Sequence, residues 1–112
     1  MKSLPNTTSE AKTTVHAPAA NTAAVATIAY DDTEYPCIDW IAYSYEGGAP
    51  SGGNLLVTIN SVTYLNLDIG AVMTEQLVFD PPLSDNKLGS DVVVTLAAGG
   101  AAVTGKVTAG HR

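Results

Sequence analysis

Residues 90–107 read SDVVVTLAAGGAAVTGKV, and this stretch decides the fold class. Its first half is dense in β-branched side chains, which suit a pleated, half-buried surface. Val92, Val94 and Leu96 share one face at a spacing of two, and Val93, Thr95 and Ala97 share the other. Residues 97–101, AAGGA, form a small-residue turn whose glycines take positive φ at no steric cost. Residues 102–108 resume as a second strand. The expectation is a β-hairpin near the C-terminus, with the chain before it built from the same kind of element.

The preceding residues carry the same signals. Residues 13–17 suit a short edge strand stopped by Pro18. In residues 21–30, NTAAVATIAY, Val25, Ile28 and Ala29 sit at helical spacing, but Thr22, Thr27, Pro18 and Asp31–Asp32 favour a strand. Residues 36–46, PCIDWIAYSYE, carry apolar bulk on both alternating faces, as a strand covered on two sides does. Leu55, Val57 and Ile59 point inward from one strand. A tight turn at Asn60–Ser61 leads to a second, with Thr63, Leu65, Leu67 and Ile69 on one face. Residues 76–80 form a short strand that Pro81–Pro82 ends, and residues 83–89 form a polar loop. Seven to eight short strands with no helix predict an all-β protein, an antiparallel β-sandwich or jelly-roll-like fold. A partly open barrel, or strands that complete their sheets with neighbouring subunits, are the alternatives. Residues 1–12 are polar and predict a flexible N-terminal arm, and residues 13–110 a single domain.

Only 14% of the 112 residues are charged, so the surface is covered by Thr, Ser, Asn and Gly or by other protein. The net charge of −6 and the scattered Lys2, Lys12, Lys87, Lys106 and Arg112 argue against nucleic acid as a partner. No apolar run reaches membrane-spanning length and no signal peptide opens the chain, which predicts synthesis in the cytoplasm and no membrane partner.

Chemistry-bearing residues are sparse. Cys37, the single cysteine, reads as a small buried strand residue. His16 and His111 read as exposed, His111 in a tail after Gly110. Residues 31–34 (Asp-Asp-Thr-Glu) read as a solvated turn, with calcium as the runner-up. The Gly-rich residues 47–53 lack the following Gly-Lys-Ser/Thr of a phosphate cradle and read as a flexible strand-to-strand loop. Asp39 and Asp68 are the one carboxylate pair singled out for acid–base work, as the basis of a rival enzymatic reading. No catalytic set, metal or cofactor is predicted. The candidate partner-interface residues are Pro5, Thr7 and Thr8 on the arm and Tyr43 and Tyr45 as a rim of aromatic anchors. The same tyrosines also read as half-buried on a sheet.

Three pieces in order carry a resemblance: IAYSY with APSGGNL (residues 41–45 and 49–55), FDPPL (79–83) and VVVTLAAGGAAVTGK (92–106). Over residues 15–107 the chain resembles small all-β virion structural proteins of tailed bacteriophages, of the capsid cement or decoration kind. Ala102 departs from the pattern, where glycine is expected, and the acidic turn is particular to this chain. The resemblance implies a subunit on the outer capsid surface, made in the host cytoplasm. Its partners would be the major capsid protein and copies of itself, as a dimer or trimer. The rival reading is a tail-fibre or carbohydrate-binding β-sandwich module, with Trp40, Tyr43 and Tyr45 as a stacking platform.

Overall fold

The computed structural model describes residues 10–112. The strands are β1 (Lys12–His16), β2 (Ala24–Ile28), β3 (Ile38–Glu46), β4 (Asn54–Ile59), β5 (Val62–Asp68), β6 (Thr74–Leu83), β7 (Val92–Leu96) and β8 (Thr104–His111). They form two four-stranded sheets, the first in the order β1-β8-β3-β6 and the second in the order β2-β7-β4-β5. All pairings are antiparallel, and β1 pairs with β8, β2 with β7, β3 with β6 and β4 with β5. The chain is therefore one antiparallel double ribbon, doubled back at the β4–β5 turn and bent three times. Successive lengths fall in alternate sheets, which is the jelly-roll wrapping.

The local chemistry fits each element of this ribbon. At the β4–β5 turn, Asn60 and Ser61 take φ of 51° and 64°. Two successive positive φ values define the type I′ turn, whose twist matches that of the strands it joins. At each bend the two crossing segments hydrogen-bond to each other. Asn21 N–H donates to Val103 O at 2.9 Å, Gly89 N–H to Glu34 O at 2.9 Å, and Ile69 N–H to Gly53 O at 3.0 Å. Gly47 sits at the third bend with φ of 92°, and a Cβ there would collide with the Ala102 carbonyl oxygen. Glycine is required at that position on both counts.

The core lies between the sheets. Val92, Val94 and Leu96 of β7 and Leu55, Val57 and Ile59 of β4 are fully buried, opposite Ile41, Tyr43, Val107 and Ala109 of the first sheet. Ala24, Ala26 and Ile28 close the second sheet from β2, so the strand reading of that alanine-rich segment holds. Leu65, Leu67, Leu77 and Phe79 complete the core from the outer strands β5 and β6, where they are half-buried.

Three expectations are corrected. The organising stretch is not a hairpin: β7 and β8 lie in opposite sheets, and residues 97–103 carry the chain across. Side by side, the two strands would turn their apolar faces the same way with nothing opposite. In facing sheets those faces meet. Secondly, Pro81–Pro82 do not end β6, which runs ten residues from Thr74 to Leu83. Ile38 pairs with Leu83 and Trp40 with Val78, so residues 79–82 bow out opposite the single residue Asp39. On an outer strand this removes no ladder hydrogen bond from a further neighbour, and proline is tolerated. Thirdly, His111 is not in a tail. It ends β8 in register with Lys12 and is buried, so strand pairing extends one residue beyond each limit expected for the domain.

Two outcomes follow for stability. Ile41→Ala empties a fully buried site and should cost about 2–5 kcal/mol in urea unfolding. Ala102 has φ of 63°, a left-handed conformation that costs an L-residue roughly 1–2 kcal/mol. Ala102→Gly should therefore raise the urea midpoint, by up to about 1 kcal/mol in stability once the entropy of glycine is subtracted.

Candidate functional site

The register of the first sheet decides which side chains face outward. Tyr43 pairs with Val107 and Ile41 with Ala109, all directed into the core. Trp40, Ala42 and Ser44 alternate with them and point out, beside Gly110, Thr108 and Lys106 of β8 and Val78, Gln76 and Thr74 of β6. The phase is set by the irregularity at Asp39. Ile38 and Ile41 are both fully buried although three residues apart, so the strand changes face between them. A bulge of this kind bends a strand and re-aims a side chain. Here the side chain turned outward is the indole of Trp40.

The indole is half-buried against Gly110. A Cβ built on Gly110 would overlap Nε1 and Cε2 of Trp40 and lie 2.7 Å from Cδ1. The five-membered ring thus covers the glycine, one face against the sheet and the other outward. Further along the same face, Ala42 and Ser44 floor a shallow depression of about 230 Å³ with Thr74, Thr108 and Lys106 around it.

Tyr43 and Tyr45 do not form an interface rim. They are only 2% and 3% exposed. Both share the inward phase of Ile41, and the hydroxyl at the end of each ring reaches a partner near the rim of the core. The Tyr45 hydroxyl donates to Ala97 O at 2.6 Å and the Tyr43 hydroxyl to Glu75 Oε1 at 3.1 Å, with the rings edge to face at 5.9 Å. Burial, with Glu75 beside it, pushes the Tyr43 hydroxyl up to about 12. The three-ring platform is thereby reduced to Trp40. Pro5, Thr7 and Thr8 lie outside the described residues.

The remaining polar side chains are held apart from one another. Asp39, at the start of β3, takes a bidentate contact from Arg112, Nε to Oδ2 at 3.0 Å and a terminal nitrogen to Oδ1 at 3.1 Å. Asp68 ends β5 in the other sheet, and its Oδ1 accepts from Gly70 N–H at 2.9 Å. The two carboxylates stand at opposite ends of the sandwich and do not form a pair. The acidic turn closes on itself, with Glu34 N–H donating to Asp31 O and Asp31 N–H to Glu34 Oε1. Among the described residues no three His, Cys, Asp or Glu side chains gather as a metal site.

Cys37 is fully buried beside Tyr30, whose hydroxyl donates to Cys37 O and accepts from Cys37 N–H, both at 3.2 Å. Burial pushes the thiol up to about 11, and Asp39 adds in the same direction. His111 lies edge-on to Tyr30 at 6.4 Å, with Nε2 at 2.9 Å from Thr14 Oγ1. Burial lowers its proton affinity and the Lys12 ammonium lowers it further, against a smaller opposing pull from Asp39. His16 is exposed, and its Nδ1 accepts Val25 N–H at 2.8 Å, tying β1 to β2 across the sheets.

No family model matches the sequence, and no curated protein matches it. Among solved structures, one described as "Crystal structure of Agl-KA catalytic domain" is similar over 87% of this chain and 20% of that one, at 11% identity and a TM-score of 0.48. The chain spans about a fifth of that structure's length, and a likeness of this size bears on neither family nor activity.

Two measurements check this chemistry. With its pKa raised, Cys37 holds almost no thiolate at neutral pH, so iodoacetamide at pH 7.5 should label it only once urea unfolds the chain. For His111 the folded protein binds its proton less readily than the unfolded chain, whose value is 6.5. The stabilisation is therefore complete above that value and is lost as the pH falls through it. Urea midpoints between pH 7.5 and 5.5 should drop more steeply for the wild type than for His111→Gln.

Proposed function

We propose that the chain is a virion structural subunit, a cement or decoration protein that binds the outside of a tailed-phage capsid and stabilises it through subunit contacts. The observation that carries the reading is the outer face of β2, β7 and β4 in the second sheet, beside which β5 carries Asp68 at its end. The outward positions on β2, β7 and β4 are Val25, Thr27, Val93, Thr95, Leu56 and Thr58, with no ionisable group among them. Five of the eleven acidic residues, Asp31, Asp32, Glu34, Asp85 and Asp91, lie instead in loops at one end.

The distribution has a physical consequence. A face without charge is covered by another protein at no cost in stranded ions, and interface cores are depleted in charged residues for that reason. The residues that resemble the phage group also form the framework of this sandwich, from β3 through the third bend to β7 and β8. The jelly roll alone supports no particular role, since unrelated functions share it. The partners of this reading are the major capsid protein and further copies of the chain.

Capsids lacking the protein should bind the purified chain in co-sedimentation, at a copy number comparable to that of the major capsid protein. Leu56→Glu and Thr95→Glu, which place charge on the uncharged face, should reduce occupancy at least tenfold with far-UV spectra unchanged. Removing residues 1–9 tests the arm separately. Full occupancy by the doubly charged variant would overturn the assignment of this face, and the absence of any binding by the wild type would overturn the virion reading.

A further inference from the structure

The opposite face of the molecule has a different character. From the geometry around Trp40 we infer a carbohydrate-binding site on the outer face of the first sheet, taking an oligosaccharide of linked pyranose rings. The inference is independent of the virion reading, which uses the other sheet.

Three features converge on this ligand. First, the Trp40 indole lies with one face on Gly110 and is partly open to solvent on the outer side of the sheet. The outward face of an aromatic ring carries partial negative charge, and the C–H bonds on one side of a pyranose ring carry the complementary positive charge. Flat stacking of the two also removes apolar surface from water. Secondly, the bulge at Asp39 is what turns the ring outward. Without it, Trp40 would share the inward phase of Ile38 and Ile41 would face solvent. The phase that buries Ile41, Tyr43 and Tyr45 thus leaves the indole on the outer face of the sheet.

Thirdly, the surface beyond the ring suits hydroxyl-rich chemistry. The small residues Ala42 and Ser44 leave the depression open, and Thr74, Thr108 and Ser44 supply hydroxyls that both donate and accept. Lys106 supplies a donor at its edge. From Trp40 to Ser44 the strand advances roughly 13 Å, room for more than one ring. One sugar would stack on Trp40 and the next would settle over Ala42 with its hydroxyls between Thr74 and Thr108. Val78, 72% exposed and paired with Trp40, extends the apolar platform on the side of β6.

Trp40 is the sole tryptophan, so intrinsic fluorescence reads this site directly. The full chain is titrated with cellopentaose, laminaripentaose, maltopentaose and penta-N-acetylchitopentaose to 10 mM. At least one should shift the emission saturably. By calorimetry, Trp40→Ala should weaken that sugar at least tenfold, Trp40→Phe less, and Ser44→Gln, which fills the depression and spares the ring, several-fold. If Trp40→Ala does not fold, Ser44→Gln still decides. Overturning results are no saturable shift with any of the four sugars, or binding that both Trp40→Ala and Ser44→Gln leave undiminished. An emission change on capsid binding with none on sugar would assign Trp40 to a protein contact and also overturn the inference.

Discussion

The structure depends on one constraint: every described strand before the β4–β5 turn is hydrogen-bonded to a strand after it. Strand pairing between β1 and β8, β2 and β7, β3 and β6, and β4 and β5 makes the molecule a single ribbon. A flat ribbon of alternating strands has one apolar face and no means of hiding it. Bending it three times brings lengths of that face opposite one another, and the pairs β8–β3 and β7–β4 then close each sheet. The bends themselves remain paired, through Asn21 with Val103, Gly89 with Glu34 and Ile69 with Gly53. Backbone groups that would be stranded at a corner are thereby satisfied.

That arrangement distributes the polar groups. Buried hydroxyls find partners at the margins of the core: Tyr30 on the backbone of Cys37, Tyr45 on Ala97, Tyr43 on Glu75. Among the described residues no buried side-chain nitrogen or oxygen lacks a partner. The sheet edges are treated unequally. On one side β1 and β2 lean together, joined by His16 and Val25. On the other, β6 carries Pro81 and Pro82, which discourage further strand pairing along that edge.

The two outer faces are chemically distinct, and the functional proposals divide between them. On β2, β7 and β4 the second sheet shows a ladder of Val, Thr and Leu with no charge, which suits a protein partner. The first shows a single indole lying on a glycine, with hydroxyls and one ammonium group beyond it, which suits a sugar. A subunit fixed to a particle by one face and free to touch glycans with the other would need both.

The sequence by itself determined the class of element and most of the facing. The alternation of Val92, Val94 and Leu96, of Leu55, Val57 and Ile59, and of Leu65 and Leu67 is a local property, because strand side chains alternate whatever the strand pairs with. The Asn60–Ser61 turn was equally legible, since its two residues are adjacent in sequence and in space. What only the tertiary structure decided was pairing and phase. Nothing local distinguishes residues 92–108 as a hairpin from the same residues split between facing sheets, because both bury the same alternate positions. The bulge at Asp39 is a matter of register against β6 and β8, some forty and seventy positions away, so the outward turn of Trp40 and the burial of Tyr43 and Tyr45 were hidden from any reading of β3 alone. Periodicity says that a face exists, and only the partner strands say which way it looks.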